Sequence, residues 1–147
     1  MSLGAQPPRI GAMAKLNRQV IEALRTTAQR LAGGAEYEWG HAGACNCGHL
    51  AQTVTQRSKK EIYKMVGGEW SEHLRDYCAV TGHAVEDVAA QMIGFGFTPG
   101  ELADLERLED PRVLERLPQR RHLRRNDRDD VVLYLKTWAR MLEQDPA

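Results

Sequence analysis

Residues 15–34 read KLNRQVIEALRTTAQRLAGG, and this stretch has the pattern of an amphipathic helix. Its apolar residues recur at steps of three and four, while polar and charged residues fill the positions between them. The apolar members are Leu16, Val20, Leu24, Ala28 and Leu31. Gly33 and Gly34 follow directly, and glycine ends a helix readily because it tolerates positive φ. The stretch therefore predicts one long helix with a single buried face.

Helix-start patterns recur along the rest of the chain. Ser58 with Glu61, and Thr98 with Glu101, have the spacing of a capping box. In that motif the hydroxyl and the carboxylate each accept a hydrogen bond from a backbone donor of the first turn. A final helix is expected to begin near Asp127, because the acidic residues that follow favour the positive end of a helix dipole. No segment alternates strictly between apolar and polar residues, as an exposed strand would.

These patterns predict an all-α protein with six to eight helices, of which the first and the last are the longest. A chain of 147 residues is long enough to form a single core without obligatory disulfides or metal. We interpret residues 1–13 as a flexible tail and residues 14–147 as one helical domain, with a Gly/Cys/His loop after the first helix. Neither a signal peptide nor a membrane-spanning helix is predicted, because the apolar runs are short.

Charge and cysteine content limit the partners and the compartment. Twenty basic and twenty acidic side chains cancel, so no overall field attracts nucleic acid or an anionic membrane. Three cysteines cannot all pair within one chain, which favours a reducing, cytoplasmic environment. Nucleic-acid binding is not expected, whereas a protein partner or a homo-oligomer remains compatible with the composition.

The most unusual segment is GHAGACNCGHLAQ at residues 40–52. It contains His41, Cys45, Cys47 and His49 at the spacing His-x3-Cys-x-Cys-x-His. In an extended chain the last three side chains would share one side, and in a helix the first, second and fourth residues would share one face. Imidazole and thiolate together suit zinc or iron. The segment therefore predicts a transition-metal site, whose remaining ligand could be Cys78, His73, His83, a carboxylate or water.

A second interpretation makes Cys47 a nucleophile. A thiol at a helix start lies near backbone donors and the positive end of the dipole, which can lower its pKa and increase its reactivity. Under this interpretation the protein is a cysteine-dependent enzyme rather than a metal-binding protein.

Residues 37–52 also resemble the nucleophile motif of the NlpC-type cell-wall cysteine peptidases. The similarity lies in Tyr37-x-Trp39-Gly40 followed by Asn46-Cys47-Gly48 and a helix start. The family has Asp-Cys-Ser-Gly where this chain has residues 46–49. The resemblance implies that Cys47 is the catalytic nucleophile. The base would then be His73, His83 or His122.

A third interpretation assigns no chemistry to the segment. Cys45 and Cys47 would then be small buried residues, as free cysteines often are. His41 and His49 would cap helices or bind backbone carbonyls, and the protein would be a helical interaction module. The Arg-rich segment at residues 116–128 is followed and preceded by acidic residues, so we predict internal ion pairs or a solvated face there.

Overall fold

The computed structural model describes residues 6–39, 43–66 and 84–144, and the side chains at 18–39, 43–64 and 88–144. These residues form seven helices and no strand. The helices are α1 (Gln6–Ala32), α2 (Asn46–Thr55), α3 (Lys59–Val66), α4 (Ala84–Phe95), α5 (Pro99–Arg107), α6 (Pro111–Leu114) and α7 (Arg128–Gln144). The all-α prediction is confirmed, and α1 and α7 are the longest of the described helices.

The core is built around the packing of α1 along α7. Leu24, Ala28 and Leu31 of α1 are fully buried, as the periodicity predicts. Trp138 of α7 is 2 % exposed and meets Phe97 edge to face, with 5.7 Å between the ring centroids. Removal of this apolar surface from water is the main favourable term in forming the bundle.

The predicted helix starts are present. Thr98 Oγ1 accepts from the Glu101 amide at 3.1 Å, and Glu101 Oε1 accepts from the Thr98 amide at 3.0 Å. Ser58 and Glu61 make the same reciprocal pair at 3.2 and 2.8 Å. Asp127 Oδ1 accepts from the Asp129 and Asp130 amides in the first turn of α7. These local motifs fix where α3, α5 and α7 begin.

Two features go beyond the sequence predictions. The first helix begins at Gln6 rather than at Lys15, while the division of the chain at residue 13 stays a prediction. Leu108 ends α5 with a φ of 55°, in the left-handed region that non-glycine residues rarely occupy. Among the described residues, the helices are all too short or too polar to cross a bilayer.

Candidate buried thiol and carboxylate site

The segment between α1 and α2 delivers two thiols into the core. Cys45 precedes α2 in an extended conformation, and its Sγ accepts from the Gly48 amide at 3.3 Å, so the thiol caps the helix. Cys47 lies in the first turn of α2, and its Sγ donates to the Leu102 carbonyl at 2.7 Å. Both cysteines are fully buried and neither forms a disulfide.

Glu106 of α5 places a carboxylate beside these thiols. Its side chain is fully buried, and Oε1 accepts from the Cys47 amide at 3.1 Å. Burial raises the pKa of Cys45 and of Cys47, and the charge and hydrogen bonding of Glu106 raise each pKa further. Cys45, Cys47 and Glu106 are called the thiol–carboxylate cluster below.

Glu106 is not among the site residues predicted from the sequence, where it counts only as an acidic neighbour of the Arg-rich segment. One indication was present in the sequence. Leu102, Leu105 and Glu106 have the i, i+3, i+4 spacing of one helix face. Acidic residues are rarely buried, so one that lies on the apolar face of a helix is a candidate for a buried functional group.

Burial keeps the two thiols protonated. It raises the pKa of Cys47 well above the ordinary value, and the negative charge of Glu106 raises it further. The prediction that the helix start lowers this pKa is therefore wrong. The helix dipole contributes only about 0.3–1 kcal/mol, and the free-energy cost of burying a thiolate away from water is the larger effect.

Asn46 connects the thiol segment to two other parts of the chain. It is fully buried, and its Oδ1 accepts from the Tyr37 hydroxyl at 2.6 Å. Its Nδ2 lies 3.1 Å from each of three main-chain carbonyl oxygens. These belong to Leu105, Glu106 and Arg125. Both polar atoms of the side chain are therefore hydrogen-bonded.

Tyr37 and Trp39 hold the loop before α2 in place. The Tyr37 hydroxyl, besides contacting Asn46, lies 2.9 Å from the Arg125 carbonyl. Trp39 Nε1 donates to the Glu106 carbonyl at 3.0 Å. The Arg125 guanidinium carbon sits 4.5 Å from the centroid of the Trp39 ring, a cation–π distance. The loop thus packs on α5 and on the segment before α7.

His49 points away from the thiols. It is two residues after Cys47 in α2, which turns its side chain by about 200° around the helix axis. Its Nε2 lies 2.6 Å from the Glu36 carbonyl, while Nδ1 lies 3.4 Å from Arg30 Nη2. Nε2 must then carry the proton, because a carbonyl only accepts, and Nδ1 is left as the acceptor for Arg30.

The burial of His49 makes the stability of the protein depend on pH. Burial lowers the pKa of His49 from 6.5 to about 4, against the opposing effect of its hydrogen bond to Glu36. Between these two pH values His49 is protonated in the unfolded chain but not in the folded chain. The free energy of unfolding therefore falls as the pH decreases.

We expect His49 to account for a loss of about 2 kcal/mol between neutral pH and about pH 5. Urea unfolding of the wild type and of His49→Gln across this range measures it. Glutamine keeps a donor for the Glu36 carbonyl but does not titrate. A wild type that loses no more stability than the variant would contradict the expectation.

The other candidates have separate positions. His122 is exposed and lines a surface cleft with Arg124 and Arg125. His41, His73, Cys78 and His83 lie outside the described residues. Within residues 6–39, 43–66 and 84–144, no three cysteine, histidine or acidic side chains are grouped so that they could hold a metal ion. The described residues therefore supply at most part of a metal site.

No family model, curated protein or solved structure matches this chain. The resemblance to NlpC-type peptidases therefore stays a prediction, and the function has to be argued from the geometry alone.

Proposed function

We propose that this small helical protein binds a transition-metal ion, zinc or iron, at the thiol–carboxylate cluster. The observation that carries the proposal is the burial of two thiols beside the Glu106 carboxylate, whose Oε1 lies 3.1 Å from the Cys47 amide nitrogen. Among the described residues these side chains supply only part of a ligand set. Thiolate sulfur is the ligand type that zinc and iron–sulfur chemistry favours, and a nearby carboxylate can offset the charge of the ion.

The hydrogen bonds around the cluster are compatible with thiolate ligands. The Gly48 amide already donates to Cys45 Sγ, and amide donors of this kind orient a ligating sulfur. The ion would replace the thiol protons, because a metal binds the deprotonated form. Binding would therefore release protons and oppose the upward shift in the pKa of each thiol.

Further ligands would come from His41, Cys78, His73 or His83. His49 is left out of the proposed set, because its two ring nitrogens already contact Glu36 and Arg30. Free thiolate ligands require a reducing compartment, so a cytoplasmic location is part of the proposal. A nucleophilic role for Cys47 is less favoured, because nucleophilic attack requires a thiolate and burial opposes its formation.

Two serine variants separate metal binding from folding. Cys45→Ser keeps a side-chain acceptor for the Gly48 amide, and serine is a good helix cap. Cys47→Ser keeps a donor for the Leu102 carbonyl. Both variants should remain folded by circular dichroism, yet each replaces a soft ligand with a hydroxyl that binds zinc or iron poorly.

We expect near-stoichiometric zinc or iron in wild-type protein purified without affinity resin, and a loss of at least roughly tenfold in metal affinity in each folded serine variant. Elemental analysis and titration with cobalt(II), followed by the thiolate-to-metal absorption, measure this. Glu106→Gln tests the carboxylate, since it retains an acceptor for the Cys47 amide. A wild type that contains no metal and gives no cobalt–thiolate band refutes the proposal and leaves the cluster with a structural role.

A further inference from the structure

A surface cleft of about 320 Å³ lies where the end of α5 meets the segment before α7. Its lining is rich in basic side chains and consists of Arg107, Glu109, His122, Leu123, Arg124, Arg125 and Asn126. We propose that this arginine cleft binds a phosphate dianion, either as free phosphate or as the phosphate group of a small phosphorylated molecule. This site is separate from the thiol–carboxylate cluster and does not depend on the metal proposal.

Ion pairing distinguishes these arginines from others in the chain. Arg112 pairs with Asp110 at 2.9 Å, and Arg121 pairs with Asp130 at 2.6 Å. The prediction of internal ion pairs in the Arg-rich segment is thus confirmed for Arg121. In the part of the chain that the structure describes, no carboxylate lies within ion-pair distance of the three cleft arginines, which are Arg107, Arg124 and Arg125.

The charges that line the cleft leave an excess of positive charge. The lining includes three arginines and one acidic residue, Glu109, while His122 and Asn126 add polar groups. Two further carboxylates do not line the cleft. Asp127 accepts backbone hydrogen bonds at the start of α7, and Asp130, which interacts with the charge of Arg124, is already paired with Arg121. An anion that entered would therefore meet several donors and little repulsion.

The backbone that carries the cleft arginines is held in place before any ligand binds. The Arg125 carbonyl oxygen accepts from Asn46 Nδ2 and lies 2.9 Å from the Tyr37 hydroxyl, and the Arg124 amide donates to Asp130 at 2.7 Å. Leu123, between Arg124 and His122, is 5 % exposed and belongs to the core. A fixed backbone reduces the entropy that binding would otherwise cost.

The position of Arg125 over Trp39 favours an oxyanion ligand. Stacking uses the face of the guanidinium plane, whereas its N–H donors lie in that plane and remain able to bind two oxygens side by side. Carboxylate and phosphate oxygens both fit such a fork, and the excess of positive charge in the cleft favours the doubly charged phosphate. The cleft volume is at the lower end of the range for small-molecule sites, roughly 300–1,000 Å³, and suits a compact ligand.

Calorimetric titration of the wild-type chain with inorganic phosphate and with glucose 6-phosphate tests the proposal. We expect saturable binding, weakened at least roughly tenfold by Arg107→Gln or Arg124→Gln. Arg140→Gln is the matched control, because Arg140 is exposed on α7 and does not line the cleft. Tighter binding of the sugar phosphate identifies a phosphorylated molecule as the ligand, and equal affinities identify free phosphate.

Three results would overturn the proposal. One is the absence of saturable binding by either compound. Another is an equal loss of affinity in Arg140→Gln, which would indicate a general charge effect. The third is that a single-stranded oligonucleotide binds more tightly than either phosphate compound and that its affinity falls steeply with salt. This result would identify a nucleic-acid surface instead.

Discussion

Replacing Asn46 with aspartate is expected to destabilise the protein by about 4 kcal/mol at neutral pH. The substitution preserves the size of the side chain, and the oxygen that accepts from Tyr37 is retained. It replaces the Nδ2 donor with a second carboxylate oxygen, which then faces three main-chain carbonyl oxygens at about the present 3.1 Å. A buried negative charge opposite three carbonyl oxygens is among the costliest single changes, although Trp39 Nε1 would still donate to the Glu106 carbonyl.

The pH dependence of Asn46→Asp provides a specific test. The buried carboxyl would have a pKa above the usual value of about 3.9, so the variant should lose stability as the pH rises from about 4 to 7. Protonation at low pH restores one donor and should reduce the difference from the wild type. Asn126→Asp, on the surface, should change stability by at most about 0.5 kcal/mol. Urea unfolding in which Asn46→Asp lies within about 1 kcal/mol of the wild type would contradict this account.

The contacts of Asn46 also explain one departure from the resemblance to NlpC-type peptidases. That family has aspartate at the position before its nucleophile, whereas this chain has Asn46. The amide here donates to carbonyls of α5 and of the segment before α7. A carboxylate cannot donate, so in this protein the residue before Cys47 has an architectural task that aspartate could not perform.

Local sequence rules predicted much of the helical framework, because the interactions that fix a helix start span only a few residues. The Thr98–Glu101 and Ser58–Glu61 pairs are complete within four residues, and both were found as predicted. The candidate site also stood out locally, since two cysteines and two histidines lie within nine positions of the chain.

The arrangement within the site was not predictable from local patterns. The chain changes from extended to helical between Cys45 and Asn46, so neither a continuous strand nor a continuous helix describes it. Cys47 turns toward α5, while His49 turns toward Glu36. Glu106 is 59 residues from Cys47, and only tertiary packing brings the two together. The same packing buries the thiol and reverses the expected shift in its pKa.

Replacing Gly43 with alanine is expected to destabilise the protein by about 4 kcal/mol, because a methyl group there has no space. A Cβ at this position would overlap the Lys59 carbonyl oxygen and would lie 2.7 and 2.8 Å from the carbonyl carbon and Cα of Lys59. These are backbone atoms at the start of α3, so no side-chain rotation relieves the contact. Either α3 or the loop before Cys45 has to move, and the Gln52 side chain would also lose its 2.6 Å hydrogen bond to the Gly43 carbonyl.

Gly94→Ala is the matched control. Gly94 lies in α4, and no atom is within 4 Å of the place that the alanine methyl group would occupy. Alanine should therefore stabilise the protein by about 0.5–1 kcal/mol through helix propensity. Urea unfolding measures the stability of both variants, from the shift in the midpoint when the dependence of the free energy of unfolding on urea is unchanged. Equal stability of Gly43→Ala and the wild type would show that the loop does not pack on α3 as described. Because Gly43 is two residues before Cys45, a shifted loop should also disturb the helix cap at Gly48, so the close approach of Gly43 to Lys59 helps to position the thiol–carboxylate cluster.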